Sequence, residues 1–155
     1  MDEKKLKNLI QQVLEHQRFA VIATETNQQP YTNLVAFAST ADLRVFVFAT
    51  KRNTQKYLNI NENNRIAILI DNRENTPTDL TNAITITALG TAREVQDGIE
   101  EYRDLLLQKH PDLLGFLDDP SCALIEIQVT TYQIIQKFEQ MHILHIVDTE
   151  KSSTS

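Results

Sequence analysis

The chain has 155 residues, enough for one domain with a real core, and 41% of them are hydrophobic, which excludes wholesale disorder. A net charge of −6 argues against a general nucleic-acid surface, whose phosphates demand a basic face. The single cysteine, Cys122, excludes an internal disulfide and a multi-cysteine metal site, and the three glycines form no GxGxxG, GxxxxGK or GxSxG motif.

The chain opens with MDEKKLKNLIQQVLEH, charged and amphipathic and unlike a cleavable signal. No apolar run approaches the roughly 18 residues that a membrane span needs, so the expectation is a cytoplasmic protein with no membrane partner. Leu6, Leu9, Ile10, Val13 and Leu14 recur at three- and four-residue spacings, which predicts a surface helix over residues 3–16.

From Phe19 the period changes. Residues 19–24 form a short β-prone run, residues 27–30 supply turn chemistry, and strands follow at 31–39 and 43–50. Residues 54–62 read as a short helix with Tyr57, Leu58 and Ile60 inward, and residues 65–71 as a buried strand. Residues 72–81 read as an exposed polar loop. A long strand covers 83–95, where Gly90 marks a bulge or a close backbone approach.

Asp97 with Glu100 resembles a capping box, which predicts a helix over 97–110 that Pro111 stops. In 122–138, Ile125, Ile127 and Val129 alternate with Glu126, Gln128 and Thr130, the pattern of a half-exposed strand. A last strand runs over 140–147. One domain therefore reaches residue 148, and 149–155 is a polar tail. Six or seven antiparallel strands, apolar on both faces, predict a mainly β barrel covered by peripheral helices or a second subunit.

The junction at 49–61, ATKRNTQKYLNIN, concentrates candidate binding residues. A strand feeding a helix N-terminus leaves backbone N–H groups unpaired, and these favour an anion such as phosphate. Thr54 adds a hydroxyl and Lys56 a full charge. A solvated turn with an ordinary helix cap at Asn53 or Thr54 is the alternative reading.

The order of helix, FAVIAT, turn, PYTNLVAF, LRVFVFAT and TKRNTQKYLNINENNRIAILI resembles the FMN-binding split-barrel family named after pyridoxamine 5′-phosphate oxidase. The resemblance runs from about residue 3 to about residue 140. It implies a Greek-key-like split barrel, a homodimer with FMN at the interface, and redox chemistry on an unidentified small molecule. By position it implies that Thr50, Lys51, Thr54, Gln55 and Lys56 serve the phosphate, and that Asn33, Leu34 and Val35 lie by the flavin ring. It also implies a lesser contribution from the region of Gly90 and Thr91, and a loop at 73–82 along the open side of the flavin.

The resemblance covers the cofactor half of the family pattern. The tryptophan- and arginine-rich end of the enzymes that oxidise pyridoxamine phosphate has no counterpart, since this chain has no Trp. A flavin-binding module without turnover is the second functional class. Some split-barrel relatives hold haem through a C-terminal histidine, which directs attention to His142 and His145; on a strand their spacing puts them on opposite faces. Glu25, Asp71 and Glu94 show no paired spacing that would mark a catalytic acid and base.

Overall fold

The computed structural model describes residues 1–146, so the expected tail and the last positions of the final strand lie outside it. Helix α1, Glu3–His16, starts where the Asp2 carboxylate accepts the Lys5 N–H at 2.8 Å. Its stripe of Leu6, Ile10, Val13 and Leu14 is buried in the main core. Strands β1, Phe19–Thr26, and β2, Gln29–Ser39, then form a hairpin whose two-residue turn holds Asn27 and Gln28 at φ of 51° and 64°. That left-handed pair matches the strand twist, so β2 begins two residues earlier than its composition suggests.

Strand β3, Val45–Lys51, leads into helix α2, Gln55–Glu62, and strand β4, Arg65–Asp71. The expected loop at 72–81 contains a short helix α3, Asp79–Asn82. The Asp79 carboxylate organises this segment by accepting the N–H groups of Glu74, Asn75 and Thr76. Strand β5, Ile84–Glu94, follows, then helix α4, Ile99–Lys109, a 3₁₀ turn and helix α5, Leu114–Asp118. Strands β6, Cys122–Gln136, and β7, Gln140–His145, finish the described chain.

The sheet order is β3-β2-β1-β4-β5-β6-β7, and β3 also pairs with β6. Six antiparallel strands therefore close into a barrel, with β7 added outside the closure as a hairpin partner of β6. Phe37, Phe46 and Tyr132 fill its interior edge to face, at ring separations of 5.5 and 6.3 Å. The buried Tyr132 hydroxyl donates to Leu43 O at 2.6 Å.

Register explains why β3 is apolar on both faces. Phe46 and Phe48 point into the barrel, while Val47 points out under Leu106 and Leu117 of α4 and α5. Bulge formation at Gly90 is also as expected, since the β5–β6 register shifts between Leu89 and Gly90. A Cβ there would lie 2.2 Å from Gln128 O, so only glycine fits.

Three local expectations are corrected. Leu58 lies on the exposed side of α2, and Asn59 takes the inward position beside Ile60. Gly98, at φ 78°, is the N-cap of α4, and no side chain caps this helix. Its left-handed backbone replaces the capping box expected from Asp97 and Glu100. Glu126 is buried rather than exposed, because α4 covers that face of β6 and Arg93 pairs with the carboxylate. The loop at 73–82 follows Asp71, which is paired with Thr85, and so lies at the barrel end opposite α2.

Candidate functional site

At the end of β3 the chain turns sharply and starts α2, and the local hydrogen bonds show why. Thr54 is the N-cap: its hydroxyl donates to Lys51 O at 2.9 Å and accepts the Tyr57 N–H at 3.4 Å. Thr50, only 1% exposed, places its hydroxyl 3.0 Å from that of Thr54. The two expected hydroxyls are thus together, at a helix end whose free N–H groups favour an anion.

Lys56, in the first turn of α2, is half-buried, and it has no ion-pair partner among the described residues. Burial alone pushes its ammonium pKa down, the mark of a charge deprived of water without a counter-ion in return. Gln55 is exposed and gives its amide N–H to Asn59 Oδ1 at 2.7 Å. Asn59, 2% exposed, passes the connection inward by donating to Thr24 Oγ1 at 3.0 Å.

Lys51 is placed differently from these. Its ammonium pairs with Asp119 and stands 4.8 Å from the centre of the Phe116 ring. Arg52 likewise pairs with Glu94 at 2.9 Å and donates to Pro120 O at 2.9 Å. Tyr57 adds its hydroxyl to Glu94 at 2.6 Å, which fastens the first turn of α2 to the end of β5. Arg52 first, and Tyr57 with it, hold the Glu94 carboxyl below its usual range.

The second group of expected residues lies on β2. That strand pairs with β3 only through Phe37, Ala38 and Ser39, and toward its N-terminal half it parts from β3. Phe37 donates its N–H to Arg18 O, on the β1 side. By the alternation of an antiparallel ladder, Val35 and Asn33 also bond toward β1, and Leu34 and Ala36 turn their backbone groups to the split. Val35 itself is in the core, and the Leu34 side chain is 64% exposed on the outer face.

Asn33 is the polar exception of its row. Across the sheet its inward row continues as Ile22, Ile68, Ala88, Tyr132 and Leu144, all buried. Asn33 Oδ1 is itself buried, and no group among the described residues bonds it. A buried amide oxygen without a partner costs about 1–3 kcal/mol, so a polar ligand group at the split would relieve a real deficit.

A separate cavity of about 660 Å³ opens on the outer face over β1, β4 and β5, lined in part by Ala23, Glu25, Arg65, Ala67, Leu89 and Gly90. Gly90 and Thr91 border this cavity together with Asn63, the C-cap of α2. His142 and His145 fall on opposite faces of β7, where the alternate residue Leu144 is the buried one.

The family model for pyridoxamine 5′-phosphate oxidase matches residues 6–135. The chain belongs to that family. Solved structures share the fold at low identity. General stress protein 26 from Bacillus anthracis is 22% identical, with a TM-score of 0.70 over 91% of this chain and 98% of that one. A haem-binding protein from Mycobacterium smegmatis is 14% identical, with a TM-score of 0.80 over 90% of this chain but only 57% of its own. A FAD-binding protein from Mesorhizobium loti is 14% identical, with a TM-score of 0.66 over 86% and 94%. Among curated proteins none matches.

Sequence reasoning missed Asn59, Glu94 and Asp119 as partners of the corner. Only Asn59 left a trace, as a polar residue one helical turn after Gln55. The two carboxylates come from segments distant in sequence, and no local spacing marks them.

Proposed function

We propose that this protein binds FMN, with the phosphate at the β3–α2 corner and the isoalloxazine along the split edge of β2. One observation carries the reading: a half-buried Lys56 without an ion-pair partner among the described residues, one turn from the paired Thr50 and Thr54 hydroxyls, next to a strand whose buried Asn33 Oδ1 is also unpartnered among them. Thr50, Thr54, Gln55 and Lys56 would hold the phosphate, and Asn33 with the split-facing backbone of Leu34 and Ala36 would meet the ring, Val35 backing it from the core. When bound, the flavin supplies the electron chemistry. The chain's own groups bind and orient it: Tyr57, Glu94 and Arg52 fix the helix that carries Lys56.

The substrate of such an oxidoreductase would be a small molecule against the open ring face. Its partner would be a second copy of the chain. The row Leu34, Val21, Leu69, Thr87, Gln133 and Ile143 crosses the outer sheet face from β2 to β7. Leu34, Leu69 and Ile143 are 64%, 38% and 51% exposed, so this face offers apolar surface that another subunit would cover. The cavity at Arg65 and Leu89 opens on the same face and would then adjoin the interface.

The test is a spectrum of purified protein after FMN addition and gel filtration. Retained yellow flavin in a species of dimer size is the expected result. NADH or NADPH bleaching that an added acceptor reverses would establish turnover, whereas retained flavin that neither reduces would establish a binding module. A red protein with a haem absorption band and no affinity for FMN would overturn the proposal.

A further inference from the structure

Lys109 is the last residue of α4, at the point where that helix meets the C-terminal turn of α1 and the end of β2. Its half-buried ammonium donates to Leu14 O at 2.8 Å and stands 3.9 Å from the centre of the buried Phe37 ring. No carboxylate pairs with it among the described residues. Two charged side chains act on it: Arg18, just past α1, opposes its charge, and the exposed Glu15 of α1 favours it more weakly. His110, the next residue, turns its ring nitrogen to Phe37 O at 2.9 Å instead. Burial first and Arg18 second bring the amine's pKa down to about 8, so a large share of it is unprotonated in slightly alkaline water.

Beside the amine opens a cavity of about 270 Å³, walled by Leu14, Ala38 and Leu105 together with Glu15, Ser39 and Gln108. We propose that Lys109 is a modification site that takes a short acyl group from an acyl phosphate. The amine nitrogen attacks the acyl carbonyl and an N–C bond forms; the C–O bond to phosphate breaks, phosphate leaves, and the amine's proton passes to water. The site suits the amide better than the ammonium. An amide keeps one N–H for Leu14 O, ends the opposition to Arg18, and lays its acyl carbons against the apolar part of the cavity wall. Arg18 selects the donor class, because a guanidinium attracts the phosphate that must depart. The site is built from α1, β2 and α4 and is independent of the flavin reading.

The experiment incubates the full chain with acetyl phosphate at about pH 8 and follows acetyl occupancy at each lysine by peptide mass spectrometry. Lys109 is expected to react about ten-fold faster or more than the exposed Lys4 and Lys5, because far more of its amine is neutral. In urea that lead should vanish, since only the folded chain desolvates the amine. Substitution of the exposed Arg18, as R18M, should slow Lys109 about three-fold or more with acetyl phosphate, and less with an uncharged acetyl thioester. Lys109 reacting no faster than Lys4 and Lys5, or keeping its lead in urea, overturns the proposal. An R18M effect equally large for both donors overturns the assignment to acyl phosphates.

Discussion

Two walls of this barrel are built from equally apolar strands and finished in different ways. Behind β3 and β6, Val47, Ala38 and Leu124 lie under α4 and α5, so the chain covers its own sheet. Across β2, β1, β4 and β5, the outward residues Leu34, Leu69 and Leu89 are exposed, with no helix over them among the described residues. Strand composition is therefore a statement about eventual burial and not about who supplies the cover. The same hydrophobic pattern is satisfied by helices on one side and left exposed on the other.

The sharpest way to break that comparison is to damage each wall in turn. Leu106→Ala, at a fully buried position in the covered wall, should lower unfolding free energy by about 2–5 kcal/mol in chemical denaturation. Leu34→Ser with Ile143→Ser, on the open wall, should change the fold's intrinsic stability by under about 1 kcal/mol. The pair should instead shift sedimentation from dimer toward monomer. A double variant that unfolds like Leu106→Ala would show the open wall to be core.

The corner gives a smaller effect. Lys56→Met should weaken FMN by about 10- to 100-fold and riboflavin hardly at all, matching the loss of one charge-assisted bond of about 1.5–3 kcal/mol. Smaller again is Tyr57→Phe, which removes one hydrogen bond to Glu94 and should cost about 1 kcal/mol in thermal or denaturant unfolding. Glu94 is ionised in the fold at lower pH than in the unfolded chain. Its contribution is complete above the unfolded value and is lost as pH falls through the folded one, so Tyr57→Phe should matter less in acid than at neutrality.

Lys109, at the joint between α1 and the covered wall, supplies the mildest test. Its ammonium donates to Leu14 O at 2.8 Å and lies 3.9 Å from the Phe37 ring centre, yet burial, with the Arg18 charge adding to it, brings its pKa down to about 8. Below that value both folded and unfolded chains carry the proton, and burial of the charge opposes folding in full. From about 8 up to the ordinary lysine range the unfolded chain binds more protons, so stability should rise with pH. Lys109→Met should flatten that rise in melts recorded across the window.

Periodicity carried most of the architecture. The stripe of α1, the succession of strands along the chain and the Gly90 bulge all follow from residue spacing, because each reflects local geometry; the pairing of β1 with β4 and of β3 with β6 does not. The corner was legible in its hydroxyls, since Thr50 and Thr54 are neighbours in the chain as well as in space. Its charge balance was not. Lys51 pairs with Asp119, which arrives from a segment whose position only tertiary packing determines. Glu126 misled for the same reason, because an alternating strand looks half exposed until a helix is laid over it.

The parting of β2 from β3 has one more consequence. A strand rim with unsatisfied backbone groups is a template for any extended peptide, and Pro30 blunts only its first few positions. If FMN binds along this rim as proposed, molecules made faster than flavin is supplied should self-associate, and riboflavin in the growth medium should improve recovery of well-behaved protein.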